Sequence, residues 1–145
     1  MAISSGAADL EERQLGGWLE ALAAAGVEAL QLREKQLGDR ELYLLTRRVV
    51  AAAGGRFAVL VNGRADVALA AGAGGVHLPA DGLPAAPLRG LCGKGFLIGR
   101  STHRPEEILA ARDEGCDYAL FGPMRPTPSK SLRQVVPGLA GLEAA

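Results

Sequence analysis

The 145-residue sequence predicts an α/β fold: a TIM-type β/α barrel truncated after the sixth βα unit. Three observations lead there. Short apolar runs end in polar, glycine or proline residues, as in Leu60-Val61-Asn62-Gly63, Gly75-Val76-His77-Leu78-Pro79 and Ile98-Gly99-Arg100-Ser101. Each run is followed by a segment with helical character. The unit recurs every 20–25 residues or so, with no linker, repeat or low-complexity stretch between units. Parallel strands covered on both faces read as such runs, and barrel chemistry sits at their C-terminal ends. A complete barrel needs eight units in about 250 residues, so one incomplete domain over residues 1–145 is expected.

The elements follow in order. Ala2-Ile3-Ser4 is a short first strand, ended by Ser5-Gly6. Residues 10–25 form a helix, with Leu15, Trp18, Leu19 and Leu22 at three- and four-residue spacing and Gly26 as the stop. Ala29-Leu30-Gln31-Leu32-Arg33 alternates as a strand. Gly38-Asp39 opens a second helix to about Ala53, with Asp39 as N-cap, and Gly54-Gly55 breaks it. Strand 57–61, a short helix over 64–71, strand 75–78 and a proline-marked helix over 83–91 come next. Strand 96–99 precedes Arg104-Pro105-Glu106-Glu107, where proline and acids suit a first helical turn. That helix ends near Gly115, 118–121 is the sixth strand, 122–137 a proline-rich loop, and 138–145 the start of another helix.

Composition narrows the function classes. The chain is 48% hydrophobic and carries 16 basic and 16 acidic residues, interspersed, for a net charge of zero. Nothing in that balance draws nucleic acid or an acidic membrane from a distance. No apolar run is long enough to span a bilayer, and the first residues lack a basic segment followed by a long apolar one. A cytoplasmic protein is expected, with Cys92 and Cys116 reduced and buried as small hydrophobes.

Several polar residues fall at strand ends. His103 lies just beyond a strand C-terminus, where an acid/base group is useful, although it also precedes a helix and can simply cap it. Arg33, Lys35 and Lys130 can hold a carboxylate or phosphate; a solvated strand end is the plainer reading of the first two. Asn62 either binds a ligand or caps the next helix. Thr127-Pro128-Ser129-Lys130 is an anion-binding turn or an ordinary loop. His77, between Val76 and Leu78, reads as a core histidine.

Motifs along nearly the whole chain carry a family resemblance. They are Gln31-Leu32-Arg33-Glu34-Lys35, Asn62-Gly63-Arg64, Leu78-Pro79, Gly99-Arg100-Ser101-Thr102-His103, Asp117-Tyr118-Ala119-Leu120-Phe121-Gly122-Pro123 and Thr127-Pro128-Ser129-Lys130. In this order and spacing they resemble the thiamine phosphate synthase / TenI barrels, and within them the thiazole tautomerase branch. The synthase branch implies a magnesium site made by two aspartates. Those positions here are Gly63 and Gly82, which have no side chain to ligate Mg²⁺, and Asp81 stands one position away. The tautomerase branch implies metal-free, cofactor-free proton transfer that aromatises a carboxythiazole phosphate.

The resemblance places the acid/base role on His103. It assigns contact with the phosphorylated thiazole to Gln31, Arg33, Lys35, Asn62, Ser101, Thr127, Ser129 and Lys130. Histidine suits the role because it titrates near neutral pH and can both take and return a proton. In the family the phosphate is held largely by loops after the seventh and eighth strands, so a fragment, a short gene product or completion by another chain all stay open. The alternatives are thiamine phosphate synthase and a non-catalytic barrel fragment that binds a phosphorylated metabolite or a partner chain.

Six strands cannot close as eight do. The first and sixth strands would then show bare edges, and Val59, Val61, Val76 and Ile98 would line an open apolar side. The expected outcome is a homo-oligomer, most simply a two-fold dimer.

Overall fold

The computed structural model describes residues 1–123. They form six strands alternating with five α-helices, the TIM-type β/α repeat that the sequence predicts. The elements are β1 (Ala2–Ile3), α1 (Glu12–Ala24), β2 (Ala29–Leu32), α2 (Asp39–Ala53), β3 (Ala58–Asn62), α3 (Ala65–Ala71), β4 (Gly75–Leu78), α4 (Ala85–Cys92), β5 (Leu97–Thr102), α5 (Pro105–Asp113) and β6 (Tyr118–Phe121). The chain divides into two compact units. Among the described residues, 1–77 and 95–97 make the first, and 78–94 and 98–123 make the second.

In the first unit β1, β2, β3 and β4 pair in parallel in chain order. Alternation sorts their side chains. Leu30, Leu32 and Val59 point into a core shared with Leu15 and Leu19 of α1 and Leu45, Val49 and Ala53 of α2. Leu42, Leu45, Thr46, Val49 and Ala53 recur at three- and four-residue spacing along α2, one buried stripe of an amphipathic helix. Each fully buried leucine contributes about 1.5–3 kcal/mol. Thr46 satisfies its buried hydroxyl by donating to the Leu42 carbonyl at 2.7 Å. Gly54 ends the helix in the left-handed conformation, φ 56°, that residues with a Cβ rarely adopt.

Helix starts differ from the sequence reading by a few residues. Ala7–Asp9 make a 3₁₀ turn, and α1 begins only after Glu11, whose amide donates to Gln14 Oε1 at 3.1 Å. Gly38, not Asp39, stands at the N-cap of α2, and Glu41 reaches back to accept from its amide at 3.0 Å.

Glu34 ties the start of the chain to the end of β2. Its side chain is 4% exposed and accepts four hydrogen bonds: from Ser4 Oγ at 2.6 Å, Gly6 N at 2.8 Å, Ala7 N at 3.1 Å and Gln36 Nε2 at 2.9 Å. Ser4 extends the two-residue β1 by donating its amide to the Gln31 carbonyl at 2.9 Å, and its hydroxyl accepts from the Arg33 amide at 3.1 Å. Burial pushes the Glu34 carboxyl up, but the four donors outweigh it and hold the group below its ordinary 4.5.

In the second unit β5 and β6 pair in parallel, Gly99 beside Tyr118 and Thr102 beside Phe121. The Tyr118 ring occupies the space over Gly99, where any Cβ would lie 2.0 Å from ring carbon Cζ. Burial raises its hydroxyl to about 12. Arg89 of α4 gathers the end of α5 and the start of β6, donating to the Gly115 carbonyl at 3.1 Å and to Asp117 Oδ2 at 2.5 Å.

Two expectations are corrected. Val59, Val61, Val76 and Ile98 are not laid open: they are 4%, 0%, 0% and 0% exposed. Val59 belongs to the core built with α1 and α2, and Val61, two residues on, shares its face of β3. Cys92 and Cys116 are free thiols, half-buried instead of buried. The predicted loop over 122–137 and helix over 138–145 lie outside the described residues, apart from the first two loop positions. Among the described residues no helix is long and apolar enough to cross a membrane.

Glu34→Gln replaces an acceptor-only carboxylate with an amide whose –NH₂ would face backbone donors. Melting curves near neutral pH should show a loss of about 2–3 kcal/mol. Because the folded carboxyl titrates below 4.5, its contribution is complete above that value and fades as pH falls through the folded value. The gap between parent and variant should therefore shrink in acid; a gap independent of pH would remove the charge from the account.

Candidate active site

Two groups of predicted site residues take shape, one in each unit. In the first, the C-terminal ends of β2 and β3 border a cleft of about 140 Å³ lined by Leu32, Glu34, Lys35, Leu42, Asn62 and Arg64. Lys35 is exposed at its rim. Asn62 ends β3 in register with His77, and the next amide, Gly63 N, donates to the His77 carbonyl at 2.8 Å. Arg64 then starts α3. Its guanidinium makes two bonds to Asp66, at 2.9 and 2.6 Å, and a third to Asp39 at the start of α2. These hydrogen bonds from Arg64 hold both carboxyls below their usual range and raise the guanidinium. The turn that carries Asn62 is thus anchored at both ends.

Gln31 sits on β2 between Leu30 and Leu32, on the face opposite the helix core. It is 2% exposed, and its Nε2 has no hydrogen-bond partner, the sole such buried side-chain atom among the described residues. A buried donor without an acceptor costs about 1–3 kcal/mol. Arg33 is half-buried just past the strand end.

His77 is the core histidine the sequence predicts. It is 2% exposed, and burial lowers it to about 4, so it is neutral at physiological pH.

In the second unit β5 runs three residues further than predicted, to Thr102, and this places Ser101 within the strand. His103 follows it. Arg104, not His103, stands at the N-cap of α5. The His103 amide donates to Glu107 Oε2 at 2.7 Å, and Arg104 Nε donates to Glu107 Oε1 at 2.8 Å. Burial raises the Glu107 carboxyl, but these two donors carry it below its usual value. The His103 ring bonds through Nδ1 to the Gly122 carbonyl oxygen. A carbonyl only accepts, so Nδ1 carries the hydrogen and Nε2 is the basic nitrogen of the neutral ring. An imidazole held this way can accept a proton at Nε2. Ser101 lines a second cleft, of about 230 Å³, with Arg100, Arg104, Glu107 and Glu114.

The structure thus brings Lys35 and Asn62 to one cleft, seats Gln31 on β2, and sets Ser101 and His103 along one strand end. Thr127, Ser129 and Lys130 lie outside the described residues. Sequence reasoning missed Glu34 and Arg100. Glu34 passes for the polar half of an alternating strand end, because three of its four partners are 27–30 residues upstream.

The residues do not fit the two-aspartate magnesium site. Gly63 is left-handed, φ 72°, and a Cβ at Gly82 would lie 2.9 Å from Pro79 Cδ. Asp81 is exposed. Among the described residues no group of three or more His, Cys, Asp or Glu side chains is placed to hold a metal ion.

Comparison with known proteins gives a consistent result. Residues 1–145 match the family model described as thiamine monophosphate synthase. A putative thiamine-phosphate synthase of Geobacter sulfurreducens is 48% identical over 122 residues, 82% of this chain and 56% of the relative. The thiamine-phosphate synthase of Anaeromyxobacter dehalogenans is 45% identical over 122 residues, 84% of this chain and 55% of the relative. The solved structure of a thiamine phosphate pyrophosphorylase from Pyrococcus furiosus superimposes with a TM-score of 0.77 at 27% identity, covering 97% of this chain and 66% of that one. The chain therefore spans little more than half the length of the curated relatives it matches.

Gln31→Met keeps the volume and deletes the orphaned donor. The unliganded protein should melt at the same temperature or higher, by up to about 1 kcal/mol in stability. Titration with a carboxythiazole phosphate should give about tenfold weaker binding, roughly 1.4 kcal/mol. A destabilised variant with unchanged affinity would make Gln31 a structural residue.

Proposed function

The chain belongs to the thiamine monophosphate synthase family, and from that premise we propose that it acts on a phosphorylated thiazole by metal-free proton transfer, as a thiazole tautomerase does. The observation that carries this reading is the pair of glycines. Gly63 and Gly82 stand where magnesium-dependent coupling requires carboxylates; Gly63 has a left-handed backbone, and a Cβ at Gly82 would crowd Pro79. Without the metal, departing pyrophosphate loses its main counter-charge.

Tautomerisation needs neither a leaving group nor a metal. One carbon of the conjugated ring system gives up a proton, the electron pair shifts through the ring, and a second carbon takes a proton back. His103 Nε2 takes the proton and, as imidazolium, returns it. The Gly122 carbonyl fixes the tautomer and the ring orientation. Within the first unit, Gln31 Nε2 offers a donor and Lys35 a positive charge suited to a carboxylate or phosphate.

A second reading is thiamine-phosphate synthase, a transferase. What favours it is the naming of the relatives, which at 42–48% identity are thiamine-phosphate synthases and give the isomerase no comparable support.

Two assays separate them. Loss of the carboxythiazole phosphate absorbance, followed with EDTA present, should proceed with the parent and fall by about 10²–10⁴ in His103→Asn, the usual worth of general acid–base catalysis. His77→Asn should act through the melting temperature. Coupling of a pyrimidine pyrophosphate to the thiazole phosphate that depends on Mg²⁺ would establish the synthase instead, and ligand binding with neither turnover would leave a binding protein.

A further inference from the structure

Pro79 and Arg100, two residues that carry the resemblance to the tautomerase branch, meet at one turn. Residues 79–82 close it, with the Gly82 amide donating to the Pro79 carbonyl at 3.0 Å. The proline ring lies inside. A Cβ built on Gly82 would stand 2.9 Å from Pro79 Cδ, 3.0 Å from Cγ and 3.0 Å from the carbonyl oxygen, closer than side chains normally approach.

Arg100 holds the same turn from outside. Its Nη2 donates to the Ala80 carbonyl at 3.4 Å and the Gly82 carbonyl at 3.3 Å, while Nη1 pairs with Glu114 Oε2 at 2.8 Å. The same carboxylate oxygen accepts from the Ala85 amide at 2.7 Å, which fixes the start of α4. The Arg100 side chain is 13% exposed, so these bonds are shielded from water. The turn therefore has little freedom to open and relieve a crowded residue 82.

We propose that Pro79 is a specificity-determining residue: with Arg100 clamping the turn, its ring keeps position 82 closed to any side chain, and so to a metal-ligating carboxylate. Substituting aspartate at 82 alone does not rebuild a magnesium site, because the ring must leave first. This rests on the metal-free reading above and adds that the loss of the metal is locked into the turn by a partner residue.

The test is a double-mutant cycle on the full chain, read as melting temperature. Gly82→Ala, which adds only the Cβ, should lower it by several degrees. In a Pro79→Ala background, where the ring is gone and only the carbonyl contact remains, the same change should cost less than half as much. Equal losses in both backgrounds would overturn the proposal. Folded variants are then titrated with Mg²⁺ in the Gly63→Asp background. Adding Gly82→Asp should bring no change in Mg²⁺ affinity while Pro79 is present, and at least a tenfold gain once Pro79→Gly accompanies it. A gain with Pro79 in place would also overturn it. Magnesium binding by the parent chain would sink the metal-free reading, while the cycle would still decide the role of Pro79.

Discussion

A carboxylate taken out of water must be surrounded by donors, and the first unit is arranged so that Glu34 is. Its four donors are neutral: a serine hydroxyl, two consecutive-region amides of the first loop, and a glutamine side chain. Three of the four come from residues 4–7. The charge thus stabilises a loop that has little apolar surface of its own, and it secures a first strand of only two residues. It also sets the end of β2, from which Gln31, Arg33 and Lys35 arise. Hydrogen bonds to an ionised group are worth about 1.5–3 kcal/mol each, enough to order such a segment against its chain entropy.

The local signals in the sequence were good where packing is local. Strands 75–78 and 118–121 fall where the apolar runs place them. α2 follows from the spacing of its leucines and valines, and Pro105 marks the start of α5. The errors arise where a distant partner decides. β5 extends through Arg100 and Ser101 because β6 pairs with it to Thr102, a ladder no polar run would suggest. Val59 faces the helices and not an open side, which a strand pattern alone does not tell.

Part of the candidate site is legible in the sequence through motifs at strand ends. His103, Gln31 and Asn62 stand in such motifs, and the structure supplies what motifs lack: the carbonyl that orients the imidazole, the orphaned amide nitrogen and the anchored turn. Glu34 and Arg100 escaped because each works on backbone groups far away in sequence. Such residues carry no chemical signature of their own, and only the contacts reveal them.

The pairing of Gly99 with Tyr118 bears on the history open to this chain. With the phenol ring in the place of a Cβ, the two positions are coupled. A side chain at 99 displaces the end of the Tyr118 ring from its seat beside β5 unless residue 118 becomes smaller first, and that order would leave a void beside β5 for as long as the second change is delayed. Either order of change at this point therefore passes through a less well-filled or more crowded intermediate.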